Sequence, residues 1–245
     1  MHQFNTPITT SIPTSFTLLI DGNPHPLCIQ AAEQLQQYLS TELDIPHNFG
    51  LGEEDGPVIG KMFGVLVVRN SNHEIGFLAA FSGKMGGTND HTLFVPPVFD
   101  LLSKNSFLNI GMSQLNDMNK EIRAIEKENN SEYFDTLDTL KTERRNFSNA
   151  LQMEIFDQYH FLNSKGITKS LRELFSDADY KNPPAGAGEC AGPKLFQFAY
   201  QQNLQPLAIA EFWWGQSPKS ATWIHGNYYA PCKEKCGPIL KWMIE

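Results

Sequence analysis

Two neighbouring segments of the chain are apolar on both faces of a β-strand, and they constrain the fold more than any other feature. Met62–Arg69 and Ile75–Ser82 are rich in branched and aromatic residues, and the short segment Asn70–Glu74 connects them. A strand with one face in water alternates apolar with polar residues, which neither segment does. The pattern predicts a sheet that is covered by helices on two sides, in a three-layer α/β fold with a mixed sheet.

The middle of the chain has a different character. Between residues 112 and 165 there is no glycine or proline, and apolar residues recur at spacings of three, four and seven. This pattern predicts an inserted helical hairpin over 109–179, with a turn at Asn129–Ser131. The hairpin would serve as a spacer or a dimerisation arm. Alternatively, it would contact RNA through Lys141, Arg144 and Arg145.

The remaining segments flank this insertion. Residues 1–15 are polar and rich in proline and threonine, which is typical of a flexible arm. Residues 16–108 and 180–245 are predicted to form the two halves of one α/β core. The second half contains a helix that includes Pro193, strands over 207–214 and 222–229, and a last helix over 239–244.

Composition limits the class of protein. The 245 residues carry a net charge of −8, which argues against a nucleic-acid surface over the whole chain and leaves room for a local basic groove. No apolar run reaches the roughly 18 residues that a membrane span requires, so no membrane contact is expected. Four cysteines and a polar first segment predict a reducing, cytoplasmic setting.

Three of the four cysteines, Cys190, Cys232 and Cys236, lie beside glycine and proline just before predicted helix starts. A helix N-terminus favours the thiolate, which is the form that binds metal. If the two helices pack side by side, the three sulfurs can bind zinc and leave a fourth position open. The same residues also fit three buried thiols without a ligand, a redox pair, or a Cys190 nucleophile with His225 as its base.

The run Phe212–Trp214 is the main aromatic feature of the last quarter. Successive residues of a strand face opposite sides, so Trp213 and Trp214 are expected on different faces. The run is either the core of a strand or a stacking platform for a nucleobase. For the second interpretation, the candidate substrate-binding residues are Trp213, Trp214, His225 and Lys219.

The predicted order of elements and the segment Pro231-Cys232 to Cys236 resemble the zinc-dependent nucleobase deaminases. The resemblance implies a deaminase-like sheet, a zinc ion on Cys190, Cys232 and Cys236, and an acidic residue that moves protons. In that family the acidic residue follows the first ligand by two positions, and this chain has Gly192 there. Glu189, which precedes Cys190, is the candidate for that role.

Six phrases resemble, in combination, the long N-terminal extension of some bacterial RluA-family pseudouridine synthases. They lie at residues 60–68, 77–84, 94–100, 183–191, 210–219 and 232–240. The resemblance implies a role in RNA modification, with transfer or ribosomal RNA and the catalytic domain of a synthase as partners. The Arg-Leu-Asp motif that carries that family's nucleophile does not occur in the sequence.

Three hypotheses about function follow. The first is an accessory module that directs RNA to an RluA-type pseudouridine synthase and lacks the synthase active site. The second is a zinc-dependent, deaminase-like hydrolase that acts on a nucleobase. The third is a dimerisation module that forms a homodimer through the helical hairpin. The residues leave open whether the chain is itself an enzyme.

Overall fold

The chain is described by a computed structural model that covers residues 1–18, 23–41, 45–53, 55–102, 106–128, 133–178, 180 and 182–245. It has a mixed α/β structure and divides into two compact units. The first unit contains Met1–Val98 and His160–Glu245, and the second contains Phe99–Tyr159. The turn predicted at Asn129–Ser131 lies outside the described residues.

The first unit alternates helices and strands. Its elements are α1 (Pro26–Thr41), β1 (Lys61–Arg69), β2 (Ile75–Phe81), β3 (His160–Leu162), β4 (Thr168–Ser170), α4 (Leu171–Asp177), α5 (Ala191–Gln201), β5 (Gln205–Trp214), β6 (Tyr228–Tyr229) and α6 (Gly237–Ile244). The second unit holds α2 (Phe107–Glu128) and α3 (Phe134–Gln158). The predicted strands at 62–69, 75–82 and 207–214 are confirmed with end shifts of one or two residues.

The main sheet has the order β2-β1-β5-β6 and so combines strands from both ends of the chain. All three pairings of these strands are antiparallel, where the sequence predicted a mixed sheet. A parallel contact occurs as an isolated bridge between Thr17 and Ala208. The antiparallel pairing of β1 with β2 follows from the tight turn between them. In this turn the Asn70 side chain accepts hydrogen bonds from the backbone N–H groups of Asn72 and Glu74 at 2.9 Å.

Strand β1 is buried along most of its length because helices contact alternate residues. Phe63, Val65 and Val67 belong to a hydrophobic core that includes Leu27 of α1. On the neighbouring residue Gly64, an added Cβ would lie 3.0 Å from Ala191 Cβ of α5. These contacts explain why the strand reads as a continuous apolar run in the sequence.

The first residues differ from the predicted flexible arm. His2 exchanges two backbone hydrogen bonds with Phe77, at 2.8 and 3.0 Å. Phe4 and Ile8 pack against the core. Strand β2 is at the edge of the sheet, so one side of its backbone has N–H and C=O groups without a neighbouring strand. A polar segment such as 1–15 can form hydrogen bonds with these groups even though it contains prolines.

The helical unit is shorter than the predicted insertion over 109–179. Residues 160–177 form β3, β4 and α4 and lie in the first unit. The Asn163 side chain accepts the N–H groups of Lys165 and Ile167, which builds the turn between the two short strands. Ser170 and Glu173 then form a capping box that starts α4. Turn chemistry therefore ends the helical pattern that apolar spacing alone would extend.

The predicted strand over 222–229 is reduced to β6. Ala221 and Gly226 have positive φ angles of 51° and 77°, which no extended strand accommodates. The segment instead curls back, and Gly226 donates its N–H to the carbonyl of Trp213 at 2.8 Å.

In the second unit, α2 and α3 pack along each other. An added Cβ on Gly111 would lie 2.7 Å from Leu151 Cδ1, so the glycine permits a close approach of the helices. Lys141 forms a 2.7 Å ion pair with Glu126, and Arg144 donates to Asn119 at 3.2 Å. Two of the three basic residues considered for RNA contact therefore connect the helices. Within the described part of the chain, no helix combines the length and apolarity needed to cross a membrane.

Candidate metal centre

Three cysteines converge where two helices begin. Cys190 is the N-cap residue of α5, and Cys236 is the N-cap residue of α6. Cys232 lies one turn before Cys236, and its carbonyl accepts the backbone N–H of Cys236 at 3.2 Å. The three Sγ atoms lie within 4.8 Å of one another, and those of Cys232 and Cys236 are 3.4 Å apart. These three residues are the cysteine cluster.

The spacing of the sulfurs fits a zinc ion. A tetrahedral site with Zn–S bonds of about 2.3 Å holds its sulfurs roughly 3.8 Å apart. The 3.4 Å between Cys232 and Cys236 and the limit of 4.8 Å for the whole cluster are compatible with this value. Three thiols also favour a soft metal such as zinc over magnesium or calcium. The fourth cysteine, Cys28, lies apart in the core, where burial raises its pKa to about 12.

The three thiols of the cluster shift one another's pKa values. Hydrogen bonds from Cys190 and Cys236 lower the pKa of the Cys232 thiol to about 2. The reciprocal interaction with Cys232, together with burial, raises the pKa of Cys190 to about 12. The pKa of Cys236 is also raised, through Cys190 and Cys232. A divalent cation bound by the three sulfurs would stabilise all three as thiolates.

A buried carboxyl group, Glu211 of β5, faces the same site and was missed in the sequence analysis. The residue is 5% exposed, and it accepts the backbone N–H of Gly192 at 2.9 Å. Burial raises the pKa of Glu211 to about 7. The signal in the sequence was a single acidic residue inside an otherwise apolar strand, Leu207–Trp214. A charge at such a position is rarely retained unless it has a partner or a function.

A cavity of about 330 Å³ opens in front of the cluster. The three cysteines and Glu211 form part of its wall, and Trp213 and Trp223 form another part. The two indole rings are stacked, with centroids 6.0 Å apart and planes inclined by 18°. Trp223 was not among the candidate residues, and the backbone that curls back after Trp213 brings it into the cavity wall.

Two lysines approach the loop that follows β2. Lys194 is 3% exposed and donates to the carbonyls of Phe81 and Gly83, at 2.9 and 3.2 Å. Burial lowers its pKa to about 8, and the carboxylate of Glu189 opposes this shift. Lys61 donates to the Ser82 carbonyl at 3.3 Å, and burial lowers its pKa against the same carboxylate. Glu189 lines the cavity, and its negative charge offsets the positive charges of Lys61 and Lys194.

The predicted substrate-binding residues separate into two groups. Trp213 lines the cavity, whereas Trp214 is 8% exposed and belongs to the core on the other face of β5. His225 and Lys219 do not line the cavity among the described residues. His225 packs on Trp214, and its Nδ1 accepts the Gly215 N–H at 3.1 Å. That nitrogen is therefore occupied and does not serve as a base for Cys190.

The arrangement can hold a thiophilic cation at the wall of a cavity that also contains a carboxyl group and an aromatic surface. A ligand in the cavity would reach the open side of the cation. No family model matches this chain, and neither the curated proteins nor the solved structures contain a significant match to it.

Proposed function

We propose that the chain is a zinc-holding accessory module that directs RNA to an RluA-type pseudouridine synthase. The observation that carries this proposal is the cavity in which the stacked pair Trp213 and Trp223 lies beside the cysteine cluster. In this role Cys190, Cys232 and Cys236 hold the ion, which ties the starts of α5 and α6 together. The catalytic domain of the synthase would supply the isomerisation chemistry.

The cavity suits one unstacked base of a structured RNA. Proteins read single-stranded RNA by stacking splayed-out bases on aromatic side chains, which contributes about 1–3 kcal/mol per base. The volume of about 330 Å³ falls within the range typical of small-ligand sites. Lys235 lies at the wall and provides a positive charge for a phosphate, although the chain as a whole is acidic.

The proposal includes a three-layer, deaminase-like arrangement of the first unit. Its support is that core residues on one side of β1 pack with α1, while Gly64 on the other side approaches α5. In such an arrangement both cysteine-bearing helix starts meet at one edge of the sheet.

The test is salt-dependent binding of zinc-loaded protein to transfer RNA and to ribosomal RNA fragments. Lys235→Gln should weaken binding and reduce the slope of log affinity against log salt by about one, because one phosphate contact is lost. Lys219→Gln is the matched control, since Lys219 is exposed and outside the cavity. Trp213→Ala should cost about 1–3 kcal/mol of affinity. Binding no tighter than that of an unrelated acidic protein would reject the proposal.

A zinc-dependent hydrolase of the deaminase type is the second candidate. The observation in its favour is that the three sulfurs face the cavity, so a small molecule can reach the side of the ion they leave open. When bound, the zinc ion would supply a Lewis acid and an activated solvent molecule. The aromatic pair would orient a base, and the walls would exclude bulk water.

Ammonia release distinguishes the two candidates. Zinc-loaded protein should release ammonia from cytosine or adenine in nucleosides or unstructured RNA, and Cys232→Ser should abolish the release. Cys28→Ala provides the matched control, because Cys28 is distant from the cluster in the core. If no substrate releases ammonia while RNA binding is retained, the accessory function stands and the hydrolase is excluded.

A further inference from the structure

Two carboxyl groups line the cavity, and the structure separates their roles. Glu189 precedes α5 and is partly exposed, and its charge acts on the half-buried Lys61 and the buried Lys194. The negative charge of Glu189 is thus offset by these two lysines. Glu211 instead projects from the centre of the sheet and is almost fully buried beside the cysteine cluster. Adjacency to Cys190 in the sequence made Glu189 the candidate for moving protons, whereas burial beside the cluster draws attention to Glu211.

The fold makes room for the Glu211 side chain by means of two glycines. Gly64 lies opposite Glu211 in the pairing of β1 with β5, and an added Cβ there would be 3.5 Å from Glu211 Cγ. Gly192 is in the first turn of α5, and an added Cβ there would be 3.4 Å from Glu211 Oε1. A Cβ at either position would therefore be in ordinary van der Waals contact with the Glu211 side chain.

One oxygen of Glu211 is fixed and the other is available. Oε1 accepts the backbone N–H of Gly192 at 2.9 Å, at the N-terminus of α5, where unpaired N–H groups favour a negative charge. No described residue donates a hydrogen bond to Oε2. Oε2 is not one of the enclosed polar atoms without a partner in the described part of the chain, so it is open to the cavity and can accept a hydrogen bond from a molecule there.

Glu211 is too far away to be a direct ligand in the described geometry. The group of ligand atoms that lie within 4.8 Å of one another contains the three sulfurs and no carboxylate oxygen of a described residue. Ligands of one tetrahedral zinc ion lie closer together than this limit. Glu211 therefore lies beside the cysteine cluster on the wall of the same cavity, without belonging to the group of ligand atoms.

We propose that Glu211 accepts a hydrogen bond from the solvent molecule that completes the coordination of the metal on Cys190, Cys232 and Cys236, and so positions that molecule. This inference rests on the proposed metal site and applies to both candidate functions. It replaces Glu189 with Glu211 as the positioning residue. A carboxylate in this position commonly orients a ligand and tunes the metal without touching it.

Cobalt(II) is the probe, because its thiolate charge-transfer band counts sulfur ligands and its visible bands report the fourth ligand. Wild type, Glu211→Gln and the matched control Glu189→Gln should each bind one equivalent with equal charge-transfer intensity. Glu211→Gln keeps an oxygen for the Gly192 N–H and should fold normally. Its visible bands should shift, and azide should bind on the order of tenfold more tightly, because a nearby negative charge is removed. Glu189→Gln should keep the visible bands of wild type, because Glu189 acts on Lys61 and Lys194.

Each other outcome is decisive. Equal visible bands and equal azide affinity in Glu211→Gln and wild type would overturn the role of Glu211. Loss of the metal from Glu211→Gln would identify Glu211 as a direct ligand and would also overturn it. If Glu211→Gln does not fold, Glu211→Asp replaces it, since the carboxylate is then withdrawn by one methylene and the visible bands should still shift. Failure of wild type to bind cobalt or zinc would instead reject the metal site itself.

Discussion

The close approach of α5 to the sheet at Gly64 should determine where Cys190 lies. An alanine Cβ at Gly64 would be 3.0 Å from Ala191 Cβ and 3.1 Å from Leu195 Cδ1. Both neighbours are fully buried, so neither can move into open space. Ala191 follows Cys190 directly, and relief of the contact must therefore shift the start of α5 by a few tenths of an ångström. Gly64→Ala thus tests whether packing sets the geometry of the cysteine cluster.

The magnitude follows from two opposing effects. Overpacking of a buried site costs about 1–3 kcal/mol. The lower entropy of the unfolded alanine chain returns about 0.4–1 kcal/mol. The net loss in the free energy of unfolding should be about 1–2 kcal/mol, and zinc affinity should fall as well. Gly237→Ala is the matched control, because nothing lies within 4 Å of an added Cβ there, directly after Cys236. It should be neutral or stabilising by up to about 1 kcal/mol.

Urea denaturation of metal-free protein measures the first effect, and competition with a chromophoric chelator measures the second. The expected order of stability is Gly64→Ala below wild type, with Gly237→Ala equal to wild type or above it. If Gly64→Ala is as stable as Gly237→Ala and binds zinc as tightly as wild type, then α5 adapts without cost. In that case the close approach does not position Cys190, and the reasoning is refuted.

Three further predictions concern the cysteines and Lys194. Serine at Cys190, Cys232 or Cys236 should each abolish stoichiometric zinc in metal analysis after gel filtration, whereas Cys28→Ala should retain it; full zinc in all three serine variants would contradict ligation. In metal-free protein, hydrogen peroxide should join Cys232 to Cys236, whose sulfurs are 3.4 Å apart, and zinc should protect them. Peptide mapping that finds a disulfide of Cys190 instead would contradict this pairing. The pKa of Lys194 is about 8 in the folded chain, below its ordinary value of 10.5, so the unfolded chain binds more protons between these values. The free energy of unfolding should therefore rise with pH across this window. Lys194→Met should reduce the corresponding rise in the urea midpoint, and an equal rise in both proteins would refute this prediction.

Local patterns were sufficient for most elements of the fold. The continuous apolar runs predicted β1, β2 and β5, and the proline and glycine positions predicted the starts of α5 and α6. These features depend on residues near one another in sequence, so they can be recognised without the tertiary structure. The predictions that failed at 160–177 and 222–229 did so because side-chain turns and positive φ angles replaced the apparent periodicity.

The site was harder to predict because its parts come from distant segments. Glu211 is 19 positions from Gly192 in the chain and becomes its partner only when β5 lies beneath α5. Trp223 joins Trp213 because the segment between them curls back. Trp214 and Trp213 cannot be assigned to cavity or core until it is known which face of β5 each helix covers.

By itself, the sequence determined that three cysteines stand shortly before two helix starts. Only the tertiary structure decided that these helix starts meet at one place, with sulfurs within 4.8 Å of one another. It also decided which acidic residue accompanies them. The physical reason is that helix capping depends on a few adjacent residues, whereas the meeting of α5, α6 and β5 depends on how the whole core packs.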